Sequence, residues 1–136
     1  MLKPDYYWYE DTGTAICVIN DGEGNIFRGT AHCCPSDEEF KSERIGCYIA
    51  ETRALINMYN YKLYYEAIPA YKALKHLKNS FEQSYRYNPD SYEARVMRKE
   101  YYGAEDEVNM YRTLIKATKK ELALYLEERS KYQEKA

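Results

Sequence analysis

The chain has 136 residues, enough for a single domain, with 45% hydrophobic and 31% charged side chains. That balance excludes a disordered chain, and no apolar run approaches the ~20 residues that a bilayer span requires, so no membrane partner is expected. A net charge of −2 argues against a general nucleic-acid binder, so neither a DNA nor an RNA duplex is an expected partner.

The start, MLKPDYYWYE, lacks the basic-then-apolar layout of a secretion signal and points to a cytosolic protein. In that compartment the four cysteines read as free thiols. DYYWYE and TAICVIN are rich in aromatic and β-branched residues and flank a turn at Asp11-Thr12-Gly13. NDGEGN then leads as a hairpin loop into IFRGTAHC. There the period of two puts Phe27, Gly29, Ala31 and Cys33 on one face and Arg28, Thr30 and His32 on the other. Residues 1–36 are thus expected to form an antiparallel β-meander.

Pro35 ends that pattern, and Ser36 or Asp37 is placed to cap a helix beginning near Glu38. Residues 37–84 read as a long helix with a kink or break near Ile68, because Pro69 interrupts it. Its core stripe is expected at Ile45, Ile49 and Ile56 beside Ala50 and Ala54, with Gly46 close to the sheet. The stripe continues through Leu63, Ala67, Leu74 and Leu77 to Phe81. Asn88-Pro89 signals a turn, and Asp90 with Glu93 resembles a capping box for a last helix over 90–133, with a bend allowed at Gly103. Val108, Tyr111, Ile115, Thr118, Leu122, Tyr125, Arg129 and Tyr132 follow in steps of three and four. That seam suits antiparallel helix packing better than an isolated coiled coil. The fold class is therefore α+β, a small antiparallel sheet of about three strands packed on long C-terminal helices.

Two features of composition stand out. Residues 1–40 carry two basic and eight acidic side chains, whereas the remainder carries 18 basic and 14 acidic. An acidic head and a basic helical body can attract one another between subunits. There are also 17 tyrosines against three phenylalanines and one tryptophan. Tyrosine suits subunit interfaces and pockets for planar ligands, although most of these rings also fit a loose helical core.

The stretch GNIFRGTAHCCPSDEEF concentrates the side chains able to do chemistry. Zinc binding fits poorly, since Cys17, His32, Cys33, Cys34 and Cys47 form neither C-x-x-C nor H-x-x-x-H. No metal and no other cofactor is expected. His32 and His76 lack a nearby nucleophile motif, and Gly22 and Gly24 form no phosphate loop, so no catalytic residue and no enzyme activity is expected. Anion and base recognition fits better. Arg28 stands beside Thr30 and His32, Arg53 lies near the helix start, Arg112 follows Tyr111, and Phe81 and Asn88 lie between the long helices. Arginine forks suit phosphate, a ring offers a stacking face, and an amide reads a base edge. Each arginine alone also reads as a surface residue in a salt bridge.

The layout FRGTAHCCPSDEEF…IGCYIAETRALI, a hairpin running into IG-x-x-IA-x-x-RA, resembles small phage proteins, in particular the type-one Thoeris anti-defence family. The likeness is best over residues 24–56, and the long helices suit the family in order and length. The resemblance implies a sponge in the cytoplasm of the infected bacterial host. Such a protein binds the cyclic ADP-ribose signal of bacterial TIR enzymes without cleaving it, and some members also hold cyclic oligonucleotides of the CBASS pathway. It implies a homo-oligomer, a dimer at least and up to a hexamer. By the same resemblance Arg28 and Arg112 would hold phosphate, Phe81 would stack, Asn88 would read adenine, and Arg53 would join the ligand site. The rival from another class is a structural or protein-interaction phage protein acting through its tyrosine-rich helices.

Overall fold

The computed structural model describes residues 3–32, 42–84 and 86–135. Along the chain it has strands β1 (Lys3–Tyr9), β2 (Thr14–Asn20) and β3 (Ile26–His32) and helix α1 (Glu43–Tyr61). A π-helical segment (Lys62–Ala67), helix α2 (Ile68–Glu82) and helix α3 (Tyr92–Lys135) follow. The class is α+β, a three-stranded antiparallel sheet in the order β1-β2-β3 followed by long helices. The chain divides into two compact units, Met1–Tyr59 with Ile115–Ala136, and Asn60–Leu114. No helix among the described residues is long and apolar enough to cross a membrane.

Cys33, Cys34, the caps expected at Ser36 or Asp37 and the helix start near Glu38 lie outside the described residues, as do the side chains of Arg129 and Tyr132. As described, α1 begins at Glu43, and Ser42 Oγ accepts from the Ile45 amide at 3.2 Å, satisfying one of the donors that a helix start leaves open.

In the first unit the register places Ala15 opposite Trp8 and Ala31, Cys17 opposite Tyr6 and Gly29, and Ile19 opposite Pro4 and Phe27. Alternation therefore gathers Ala15, Cys17, Ile19, Phe27, Gly29 and Ala31 on one face, and all six are buried. Arg28, Thr30 and His32 take the opposite face, as the strand pattern requires. Helix α1 meets the apolar face through Gly46, Ile49, Ala50, Ala54 and Met58. Its small residues let the backbones approach closely. A Cβ on Gly46 would sit 3.0 Å from Ala15 Cβ, and a Cβ on Gly29 would overlap the Ala50 carbonyl and the Ala54 amide. Close packing here leaves no room for a methyl group.

Strand β3 lies at the edge of the sheet, yet side chains of α1 cover two of its outer carbonyls. Arg53 Nη1 donates to the Thr30 carbonyl and Asn57 Nδ2 donates to the Arg28 carbonyl, both at 2.7 Å. Four residues of helix rise about 6 Å and two residues of strand about 6.6 Å, so the spacing of this pair matches that of alternate strand carbonyls. The helix thus serves as a partner for an edge that would otherwise stay open. Arg53→Ala should lower unfolding stability by about 2 kcal/mol, read as a shift in urea midpoint, because it removes a charged donor. A midpoint equal to wild type would mean that water replaces the guanidinium without cost.

In the second unit the expected interruption before Pro69 is the π-helical segment Lys62–Ala67. Proline has no amide hydrogen and its ring crowds the carbonyl four residues earlier, here that of Tyr65. The wider turn ends at Ala67, so Pro69 falls in the first turn of α2, where no intrahelical donor is needed. Leu63 and Ala67 are buried, whereas α2 has no buried residue and Leu77, expected in the core, is 54% exposed. The α2 contact with α3 is aromatic and half-buried rather than aliphatic. Tyr71 and Tyr101 lie 5.4 Å apart between ring centroids and share a 3.0 Å hydroxyl–hydroxyl bond, and the Lys78 ammonium sits 5.1 Å from the Tyr101 ring.

The cap of α3 lies one residue later than the sequence suggests. Asn88 Oδ1 takes the Asp90 amide at 2.9 Å, and Ser91 Oγ accepts from the Ala94 amide at 3.2 Å. Asp90 is thus held in the turn and Ser91 is the cap. Helix α3 continues through Gly103 without interruption, and of its seam Val108 and Ile115 are buried while Tyr111, Thr118, Leu122 and Tyr125 are half-buried. None of the tyrosines whose side chains are described is buried, so the expectation that most of them line a loose core is corrected. Their hydroxyls hold them at the boundary with water.

Candidate functional site

Each candidate is best judged by what its polar atoms already do. Arg28 projects from the exposed face of β3, and among the described residues its guanidinium makes no hydrogen bond or ion pair. Thr30 and His32 share that face, with His32 Nδ1 2.8 Å from Thr14 Oγ1, itself 2.7 Å from Thr12 Oγ1. Arg53 comes from α1, and one of its donors is committed to Thr30. It lines a small cavity of about 70 Å³ with His32, Gly46 and Leu126.

Phe81 and Asn88 belong to the second unit. The Phe81 ring meets Tyr87 edge-on at 5.4 Å, and the Asn88 carbonyl oxygen is committed to the Asp90 amide while its NH₂ group remains available. Arg98 fixes the same turn through a 2.8 Å bond from Nη2 to the Pro89 carbonyl. Arg112 lies elsewhere in this unit. It is about 30 Å along α3 from the helix start at Tyr92, given 1.5 Å per residue. Hence the Phe81–Asn88 corner and Arg112 do not share a pocket within one chain, and Arg28 and Arg53 belong to the other unit.

Around Arg112 the helices form a groove of about 400 Å³ lined by Ile68, Tyr71, Lys72, Glu105, Val108, Asn109 and Arg112. On α3 the spacing of Glu105, Asn109 and Arg112 puts them on one face, with the helix rising ~10 Å from first to last. Lys72 enters from α2. Among the described residues, Lys72, Glu105, Asn109 and Arg112 make no hydrogen bond or ion pair. Two cations, an amide and a carboxylate thus face one groove uncommitted, beside a tyrosine ring. Such a set can grip an anion, take up hydroxyl or amide hydrogen bonds and lie against a planar group.

Several thiols and phenols are held in their neutral forms. Burial pushes the Cys17 thiol up to about 11 and also raises that of Cys47, helped by nearby Glu51 and Glu43 respectively. Both thiols are therefore held protonated at neutral pH, which suits small apolar fillers. Burial and then Glu51 push Tyr6 up to about 12. The hydrogen bond to Tyr71, followed by loss of solvent, pushes Tyr101 to about 12. Among the described residues no group of three or more His, Cys, Asp or Glu side chains could hold a metal ion.

No family model, curated protein or solved structure matches the chain. The sequence did not single out Tyr71, Lys72, Glu105 or Asn109. The signal was present only as the spacing of 105, 109 and 112, which a solvated helix face also shows.

Proposed function

We propose that the protein is a phage anti-defence sponge that binds and sequesters a cyclic nucleotide immune signal without cleaving it. The signal is a cyclic ADP-ribose isomer made by TIR enzymes of the infected bacterial host, in whose cytoplasm the sponge would act, and CBASS cyclic oligonucleotides are further ligands. What supports this reading, beside the resemblance to type-one Thoeris anti-defence proteins, is the uncommitted set of Lys72, Asn109 and Arg112 around the Tyr71 ring. Cations hold phosphates, the amide and ring engage base or ribose, and sequestration requires no catalytic group. Arg112 lies about 30 Å along α3 from the helix start that follows Asn88, so one nucleotide would engage Phe81, Asn88 and Arg112 together only between copies of the chain, which supports a homo-oligomer as the working form.

Isothermal titration with cyclic ADP-ribose isomers and a cyclic trinucleotide tests this. A sub-micromolar dissociation constant, about −8 kcal/mol or better, is expected, with intact ligand recovered after heat denaturation. Altered ligand would instead identify an enzyme. Absence of heat with every signal would favour the second reading, a protein-interaction phage protein. That reading draws support from the exposed rings Tyr64, Tyr65, Tyr92 and Tyr102, at 61%, 71%, 77% and 53%.

A further inference from the structure

The groove carries one side chain that a site for bare phosphate would not contain. Glu105 faces the same space as Lys72 and Arg112, and a carboxylate repels an anion seated near it. Nor is it there to neutralise the cations, since it pairs with neither of them. Its position is polar with respect to the groove, two helical turns or ~10 Å from Arg112 along α3, with Asn109 between. A ligand satisfying both ends must present anionic oxygens at one and hydrogen-bond donors at the other. The space between must suit the Tyr71 ring.

Resting on the nucleotide-binding reading above, we infer that Glu105 accepts hydrogen bonds from free ribose hydroxyls. The ligand class is then a ribonucleotide rather than a deoxyribonucleotide, a polyphosphate or an inorganic anion. Hydroxyls are neutral donors that a carboxylate binds without the proton transfer or repulsion a phosphate would bring, and acidic side chains in other nucleotide sites read ribose in this way. Glu105 thus determines specificity, while Arg112 and Lys72 supply most of the grip. Asn109 stands between the two ends, able to donate to one and accept from the other.

The test compares cyclic ADP-ribose with its 2′-deoxy and 3′-deoxy analogues by isothermal titration, on the wild type and on Glu105→Gln. In the wild type, loss of the hydroxyl that Glu105 reads should weaken binding by about tenfold or more, since a site left with an unpaired polar group rejects the poorer analogue. In Glu105→Gln the same analogue should lose no more than about twofold relative to the parent ligand. Glu105 is half-buried and makes no hydrogen bond or ion pair among the described residues, so the variant should melt with the wild type. Equal losses in both proteins would place the hydroxyl contact elsewhere and overturn the inference. So would a wild type indifferent to both deoxygenations. A wild type that binds none of the three overturns the nucleotide reading itself, and this inference with it.

Discussion

Gly29→Ala should lower the melting temperature by about 10 °C or more, the largest stability effect expected of any single methyl in the first unit. The added Cβ would overlap the Ala50 carbonyl oxygen and the Ala54 amide, and both belong to the backbone of α1. A flexible side chain could swing aside; a helix backbone moves only by pulling the whole face away from the sheet. That displacement would also stretch the two 2.7 Å bonds from Arg53 and Asn57 to the carbonyls of β3. The cost is therefore expected at or above the ~3 kcal/mol upper range for overpacked cores. Scanning calorimetry of the variant decides it, and a melting temperature within a degree or two of wild type would contradict this packing. Gly103→Ala makes a useful contrast, since it lies within helix α3 and an added Cβ there meets nothing within 4 Å.

Arg112→Ala should leave melting unchanged but weaken binding of cyclic ADP-ribose by about 10- to 100-fold. A charge-assisted contact contributes roughly 1.5–3 kcal/mol, and each 1.4 kcal/mol is tenfold. The side chain is exposed and makes no hydrogen bond or ion pair among the described residues, so little of the fold depends on it. Arg112→Lys keeps the charge and loses the fork, and an intermediate affinity would indicate bidentate contact with phosphate. Undiminished binding in Arg112→Ala would remove the groove from the site. Arg28→Ala supplies the parallel measurement on the other unit, where the exposed guanidinium is equally uncommitted.

The parts of this fold legible in the sequence are those governed by neighbours along the chain. IFRGTAH alternates large and small apolar residues with polar ones, and a period of two leaves one assignment of faces. Gly46 and Ala50 in IGCYIAETRALI announce a close approach to the sheet because small residues at that spacing bury little by themselves. Asp90 misled because Asn88, two residues earlier, competes for its amide, leaving Ser91 to cap. Leu77 misled because a helical pattern marks a stripe without saying whether anything covers it, and on α2 aromatic contacts take the place of a buried aliphatic stripe. The site is less legible for the same reason. Lys72 and Arg112 are distant in sequence and meet only through the pairing of α2 with α3, and Arg53 acquires its place at Thr30 through packing that no local pattern encodes. Arginine types and exposure were readable; which atoms remain unspent was not.

The covered edge of β3 bears on how copies of this chain can join. A sheet grows by adding strands at its margins, and here α1 closes one margin with Arg53 and Asn57, while among the described residues β1 has no strand partner on its outer side. Two copies that met through β1 would give one continuous sheet whose both ends were stoppered by helices, so addition would end at two. Such an arrangement would spare the chain the open-ended strand stacking from which fibres grow.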